Sequence, residues 1–336
     1  MTCHRSRPSP LRRAITRYVD LKMALGRRFD GEHRVLQSLD EFLQASAGRS
    51  ADLTPESFFR WTQTLRHLAP TVRRNRLRIV RNLCLYRRRT EPDCFVPDPV
   101  LFPPCHQPRP PYIFTHAEIA RLLRATGTLD RTPGSPLRPE VFRLAIVLLY
   151  TTGLRRGELL RLTIGDYDRR ARTVLVRESK FHKSRLLPLS PDGAHAIEAS
   201  LQARRARHLP ISTDLPLLWN GYSGGRPYTG TGFTHSFRLL LRAAKIRTPD
   251  GRPPRIHDVR HVFAVHALLR WYRAGGDVQT KLPLLATYMG HVSIVSTHYY
   301  LSFVEPLRTA ASARFARHCG ALVAVHSSGR GQGQRP

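Results

Sequence analysis

Tyr150-Thr-Thr-Gly-Leu-Arg155-Arg-Gly-Glu158 closes a continuous apolar run over residues 145–150. Upstream of it, Pro139 is placed to start a helix over 140–150, and the apolar residues of that helix are too continuous for a surface element, which implies burial. Downstream, 173–178 and 185–189 read as two strands joined by a tight polar connection. That hairpin carries Lys180 and Lys183 near its tip, in Ser179-Lys180-Phe-His-Lys183-Ser-Arg185. Further on come His257-Asp258-Val259-Arg260-His261 and then Gly290-His291, with Tyr300 nine residues after the pair.

These boxes supply two arginines, a lysine, two histidines and a tyrosine, a set of parts for metal-free attack on a phosphodiester. Such a reaction needs a nucleophile, cations on the non-bridging oxygens, an acid for the leaving oxygen and a partner for the nucleophile's proton. A phenolate at Tyr300 suits the first role. Arg155 and Arg260 suit the second, because guanidinium forks match phosphate and keep their charge. His257 falls one helical turn before Arg260, on the same side of the helix start. Lys180 is informative because the chain holds 55 basic residues of which only five are lysine, at 22, 180, 183, 245 and 281. An arginine could bind phosphate there but could hardly donate a proton, whereas a desolvated lysine can.

Composition supports the same partner. A formal net charge of +31 points to a polyanion, above all nucleic acid. Genomic bias can exchange lysine for arginine, but it does not create an excess of basic over acidic residues. Hydrophobic content of 41% is enough for real cores. Cys3, Cys84, Cys94, Cys105 and Cys319 are odd in number and lack metal-site spacing, so they read as free thiols in a reducing cytosol. With no apolar signal core near Met1 and no run long enough to span a bilayer, the expected location is the cytoplasm, on the nucleoid.

At 336 residues the chain fits two domains. The expected division is a helical domain over 1–96, a proline-rich linker over 97–111, a second domain over 112–320 and a polar, disordered tail over 321–336. Helical patterns run over 11–26, 33–45, 55–68, capped by Thr54, and 70–88. On the last, Arg74, Arg78, Arg81 and Arg88 recur on one face, a candidate for tracking DNA phosphates. In the second domain Thr115 caps a helix to Leu123, and further helices are expected at 194–207, 234–245, 259–273, 281–289, 294–301 and 306–318. Residues 221–232, rich in Gly, Tyr and Thr, read as a loop.

Taken in order, Thr-Gly-Leu-Arg-x-x-Glu, a lysine hairpin ending Arg-Leu-Leu-Pro-Leu, His-x-x-Arg-His and Gly-His-(x)8-Tyr resemble the tyrosine recombinase (phage integrase) family over residues 112–318. The resemblance implies a mainly helical fold with a small β-hairpin or sheet, in a two-domain DNA clamp whose N-terminal part is a core-binding (SAM-like) domain. It implies Arg155 and Arg260 as phosphate clamps, Lys180 as hairpin general acid, His257 as acid/base residue and His291 as a phosphate hydrogen-bond donor. Tyr300 becomes the nucleophile of a 3′-phosphotyrosyl DNA intermediate, with Glu158 in support. It further implies a site-specific recombinase of double-stranded DNA, without metal or ATP, working as a homo- or hetero-tetramer held by the helix over 306–318. The interval between Arg260 and His291 exceeds that of compact Xer-type recombinases by about two helical turns, which brings the chain closer to integrase-like transposases of mobile elements.

Two choices stay open at this point. Tyr299 adjoins Tyr300, and residues adjacent on a helix point about 100° apart, so one of them faces phosphorus; the Gly-His spacing selects Tyr300. Lys183 competes with Lys180, which holds the family's place at the end of the first strand. His257-x-x-x-His261 has the spacing of a zinc pair, but Asp258 replaces the glutamate of His-Glu-x-x-His, so metal binding is not expected. The glycines at 224–232 are too scattered for a phosphate loop. A type IB topoisomerase, nicking and resealing one strand, and an inactive DNA-binding relative are the rival functions.

Overall fold

The computed structural model describes residues 10–27, 29–47, 52–104, 109–177, 184–221, 225–291 and 312. Lys180, Lys183, Tyr299 and Tyr300 lie outside the described residues, as do the elements expected over 294–301 and 306–318 and the tail. The chain forms two compact units, Met1–Arg109 and Pro110–Pro336.

Among the described residues the first unit is built on four helices, α1 Pro10–Ala24, α2 Asp30–Ala47, α3 Pro55–Thr64 and α4 Pro70–Arg87. Leu11, Leu36, Leu39, Leu43, Trp61, Val80, Leu83 and Cys84 are fully buried among them. Thr54 caps α3 as expected, its hydroxyl accepting from the Ser57 amide at 3.2 Å. The buried guanidinium of Arg87 forks onto Asp52, with both bonds at 2.7 Å. The expected arginine face of α4 divides in two. Arg78 and Arg88 are exposed, whereas Arg74 donates to the Pro103 carbonyl at 2.7 Å and Arg81 to the Pro97 carbonyl at 2.6 Å. Proline-rich chain has carbonyls but few amides, so it forms no ladder of its own and its acceptors need outside donors. Two arginines supply them, Phe102 is buried in the same core, and the first part of the proline-rich stretch is strapped to α4.

Among the described residues the second unit is mainly helical with two small antiparallel sheets. Its helices are α5 His116–Ala125, α6 Arg138–Thr152, α7 Arg156–Arg161, α8 Pro191–Arg205, α9 Gly230–Ala243, α10 Ile256–Arg273 and α11 Val278–Met289. α6 is the central element, packed against α8 and α10, and Phe142, Ala145, Leu148 and Leu149 are among its fully buried residues. Strands β1 Tyr167–Asp168, β2 Thr173–Val176 and β3 Arg185–Pro188 form one sheet in that order, with Val174 opposite Leu187. Strands β4 Trp219–Asn220 and β5 Arg226–Pro227 form the other. Among the described residues no helix is long and apolar enough to cross a membrane.

Several elements start earlier than their periodicity indicates, because caps and not apolar spacing set helix starts. α8 begins at Pro191 with Ser190 accepting from Gly193 at 3.2 Å. α9 begins at Gly230, inside the stretch expected to be a loop, with Thr229 accepting from Gly232 at 3.1 Å. Glycine is a poor helix former, but the cap and the burial of Phe233 outweigh its cost. The same stretch also contains β5, and α10 begins at Ile256, so the whole His257–His261 box is helical.

Candidate active site

The site is assembled where α6, α10 and α11 end or begin near one another. Gly153 ends α6 in the left-handed region, at φ 62°. A Cβ there would meet the Phe263 ring at 2.5 Å, so conformation and space both demand glycine. The chain then turns out to Arg155, an extended residue at the N-cap of α7. Its amide donates to Glu158 Oε2 at 2.9 Å and its Nη1 to Glu158 Oε1 at 2.7 Å.

Glu158 is 3% exposed and is held by a second arginine. Arg185, the first residue of β3, donates to Oε1 at 3.1 Å and to Oε2 at 2.9 Å. Burial works to raise the glutamate's pKa, but hydrogen bonds from Arg185 and from the Arg155 amide, with the charge of Arg185, hold it down at about 2.

Three guanidiniums meet the end of α11. The Tyr288 carbonyl accepts from Arg185 Nε at 2.9 Å, the Met289 carbonyl from Arg260 Nη2 at 2.7 Å, and the Gly290 carbonyl from Arg155 Nη2 at 2.7 Å. A helix leaves its last carbonyls unpaired and carries partial negative charge there, so cations are the natural partners. Arg260 is 1% exposed and also donates, through Nη1, to the Gly153 carbonyl. It therefore ties the glycine before the first arginine box to the residue before the Gly-His pair. Gly290 caps α11 in the left-handed region, at φ 67°, and the His291 amide closes the turn onto the Ala286 carbonyl at 2.8 Å.

The histidines share this cationic setting. His257 is open to solvent at the start of α10, with its ring edge-on to His261 at 4.8 Å. Its pKa is lowered by desolvation against the neighbouring protein and by Arg260, with Asp258 opposing. Burial, then Arg260, Arg155 and His257, push His291 down to about 4. Burial and the neighbouring His257 push His261 down to about 3. Lowered values favour the neutral form of each ring, and a nearby anion would act in the opposite direction. Asp258 is buried and takes the Arg255 amide at 2.7 Å, which anchors the start of α10. Among the described residues no group of three or more His, Cys, Asp or Glu side chains is arranged to hold a metal.

Arg155, Glu158, His257, Arg260 and His291, five residues read from the sequence, thus come together. Sequence reasoning assigns Arg185, at the end of the hairpin, no role. An arginine at a strand start in an arginine-rich chain carries no signal, and its two partners lie 27 and 103 residues away.

The mainly helical two-unit fold sets paired guanidiniums and imidazoles about one helix terminus, an arrangement suited to holding an anion. Residues 113–304 match the phage integrase family. The chain is 32% identical over 311 residues to a putative integrase/recombinase, y4rB, of Sinorhizobium fredii, covering 92% of this chain and 98% of that one. It is 33% identical over 213 residues to the tyrosine recombinase XerD of Mycobacterium leprae, covering 61% of each. The chain belongs to the phage integrase family. Its fold is shared with the Tn1549 transposon integrase in complex with a circular intermediate DNA, at a TM-score of 0.60 and 19% identity over 90% of this chain and 99% of that one. It is shared too with XerH recombinase bound to palindromic difH substrate, at a TM-score of 0.59 and 18% identity over 84% and 78% of the two chains. With recombinases as its relatives, neither the topoisomerase-like nor the binding-only alternative is favoured.

Proposed function

We propose that the chain cuts and rejoins double-stranded DNA at specific sites through Tyr300, within a tetramer, as the recombinase of a mobile element in the cytoplasm. Arg155 and Arg260 hold the non-bridging oxygens of the scissile phosphate, with His257 and His291 beside them. The Tyr300 oxygen passes its proton to His257 and forms the new bond to phosphorus while the bond to the 5′-oxygen breaks. Lys180 gives that oxygen its proton, and the 3′ end stays on the tyrosine. Attack by a 5′-hydroxyl from another strand reverses the step, so the bond energy is conserved and no nucleotide is consumed. Residues 112–320 carry this chemistry; 1–96 serve as the DNA-gripping arm and 97–111 join the two.

The observation that carries this reading is the set of three adjacent carbonyls at the end of α11, each bound by a different arginine. It brings both clamp candidates to the Gly-His pair that precedes Tyr300 by nine residues. Two DNA-bound transposon-integrase and XerH structures of the same fold support duplex DNA as the partner. On α4, the exposed Arg78 and Arg88 are the phosphate contacts, while Arg74 and Arg81 chiefly hold the proline strap.

The test is strand exchange on a plasmid bearing two copies of a site selected for binding from a random duplex library. Recombinant product that requires both copies supports the reading. Relaxation of a plasmid bearing one copy, with no recombinant from two, contradicts it.

A further inference from the structure

We infer that Arg185 is a positioning residue for cleavage, which sets the Arg155 clamp and the Gly-His turn from behind; the inference rests on the recombinase reading above. Its side chain is 12% exposed and joins β3 to two other elements. At one end it shares the carboxylate of Glu158 with Arg155. Oε1 takes Nη1 of both arginines, and Oε2 takes the Arg155 amide and Arg185 Nη2. At the other end it holds the Tyr288 carbonyl, two residues before the Gly290 carbonyl that Arg155 holds. A Cβ on Gly290 would lie 2.8 Å from Arg185 Nη1, so the guanidinium lies directly against the Gly-His turn.

Arg155 is therefore fixed at two points, the Glu158 carboxylate and the end of α11, and Arg185 fixes both. Without Arg185, half the donors to a buried carboxylate are gone, and Glu158 is free to swing toward whichever cation remains. The guanidinium of Arg155 then follows its partner out of register with the phosphate. A planar fork does this work in full, whereas the ammonium of a lysine can reach the carboxylate or the Tyr288 carbonyl but not both in one fixed plane.

The experiment uses the full chain, wild type, Arg185→Gln and Arg185→Lys, on a nicked duplex carrying a site selected by wild-type binding. Two scissile linkages are compared, a normal phosphate and a neutral methylphosphonate, which offers the clamp no charge to hold. Thermal melting and duplex affinity are measured on each variant. The expected result is folded Arg185→Gln with duplex affinity within about threefold of wild type. Its single-turnover adduct formation falls about 10²-fold on phosphate, the scale of a misplaced catalytic group. On methylphosphonate the loss shrinks to less than about tenfold, and Arg185→Lys recovers part of the phosphate rate. Equal losses on the two linkages, or an unchanged rate on phosphate, overturn the inference. If Arg185→Gln does not fold, the same linkage comparison on Arg185→Lys decides the matter by the same criteria. Wild type that forms no adduct on any selected site overturns the recombinase reading itself, a failure distinct from these and one that takes the positioning role with it.

Discussion

Arg260, proposed as a phosphate clamp, is also part of the scaffold. Its guanidinium is buried and bound to the carbonyls of Gly153 and Met289, so its position is set before any DNA arrives. Preorganised cations are worth more than mobile ones because no reorganisation is needed in the transition state. Arg260→Lys keeps the charge but cannot fork onto both carbonyls. Leaving one unpaired costs about 1–3 kcal/mol of stability, and adduct formation falls while duplex affinity holds; chemical melts and single-turnover cleavage together check this. Gly153→Ala is more severe. It forces a side chain into left-handed backbone and onto the Phe263 ring, at about 2–4 kcal/mol from strain and overpacking combined, which a urea melt measures. Arg155, Glu158, His257, Arg260 and His291, which the fold brings together, could be singled out in the sequence because phosphate chemistry allows few residue types in each role. Arg185 was not legible, since its role depends on a carboxylate and a carbonyl that only the fold brings to it.

At the scale of elements, long patterns were legible and short ones were not. The four helices of the first unit follow from periodicity, α6 from its continuous apolar run, and the β2–β3 pairing from two strand-like runs joined by a short polar connection. α7 is six residues long and β1, β4 and β5 two each, too short to show any period. The start of α9 was hidden by Gly230 and Gly232, where the Thr229 cap decides against composition. Thr229→Ala is expected to cost about 1 kcal/mol in a denaturant melt. The division of the α4 arginines makes a separate prediction. Arg78→Ala and Arg88→Ala each lower the slope of log affinity against log salt by about 1, measured by duplex titration across salt concentrations. Arg74→Ala and Arg81→Ala act instead on stability, through the carbonyls of Pro103 and Pro97.

For the whole molecule, a net charge of +31 is matched to a polyanion, and the site concentrates that charge around neutral histidines. His261 has a folded pKa of about 3 against an ordinary 6.5. Below pH 6.5 the unfolded chain takes up a proton that the folded chain refuses, so stability is complete above that pH and is lost as pH falls toward 3. One such group gives a slope of up to about 1.4 kcal/mol per pH unit. His261→Asn should flatten the acid limb of a melting-temperature profile. All of this charge and geometry converges on the claim that DNA becomes bonded to one particular tyrosine. The most direct measurement is peptide mapping by mass spectrometry of the adduct trapped on a nicked duplex. The account predicts the 3′-phosphoryl nucleotide on Tyr300, with trapping abolished by Tyr300→Phe and retained in Tyr299→Phe. A nucleotide on Tyr299, or an adduct that survives Tyr300→Phe, would contradict it.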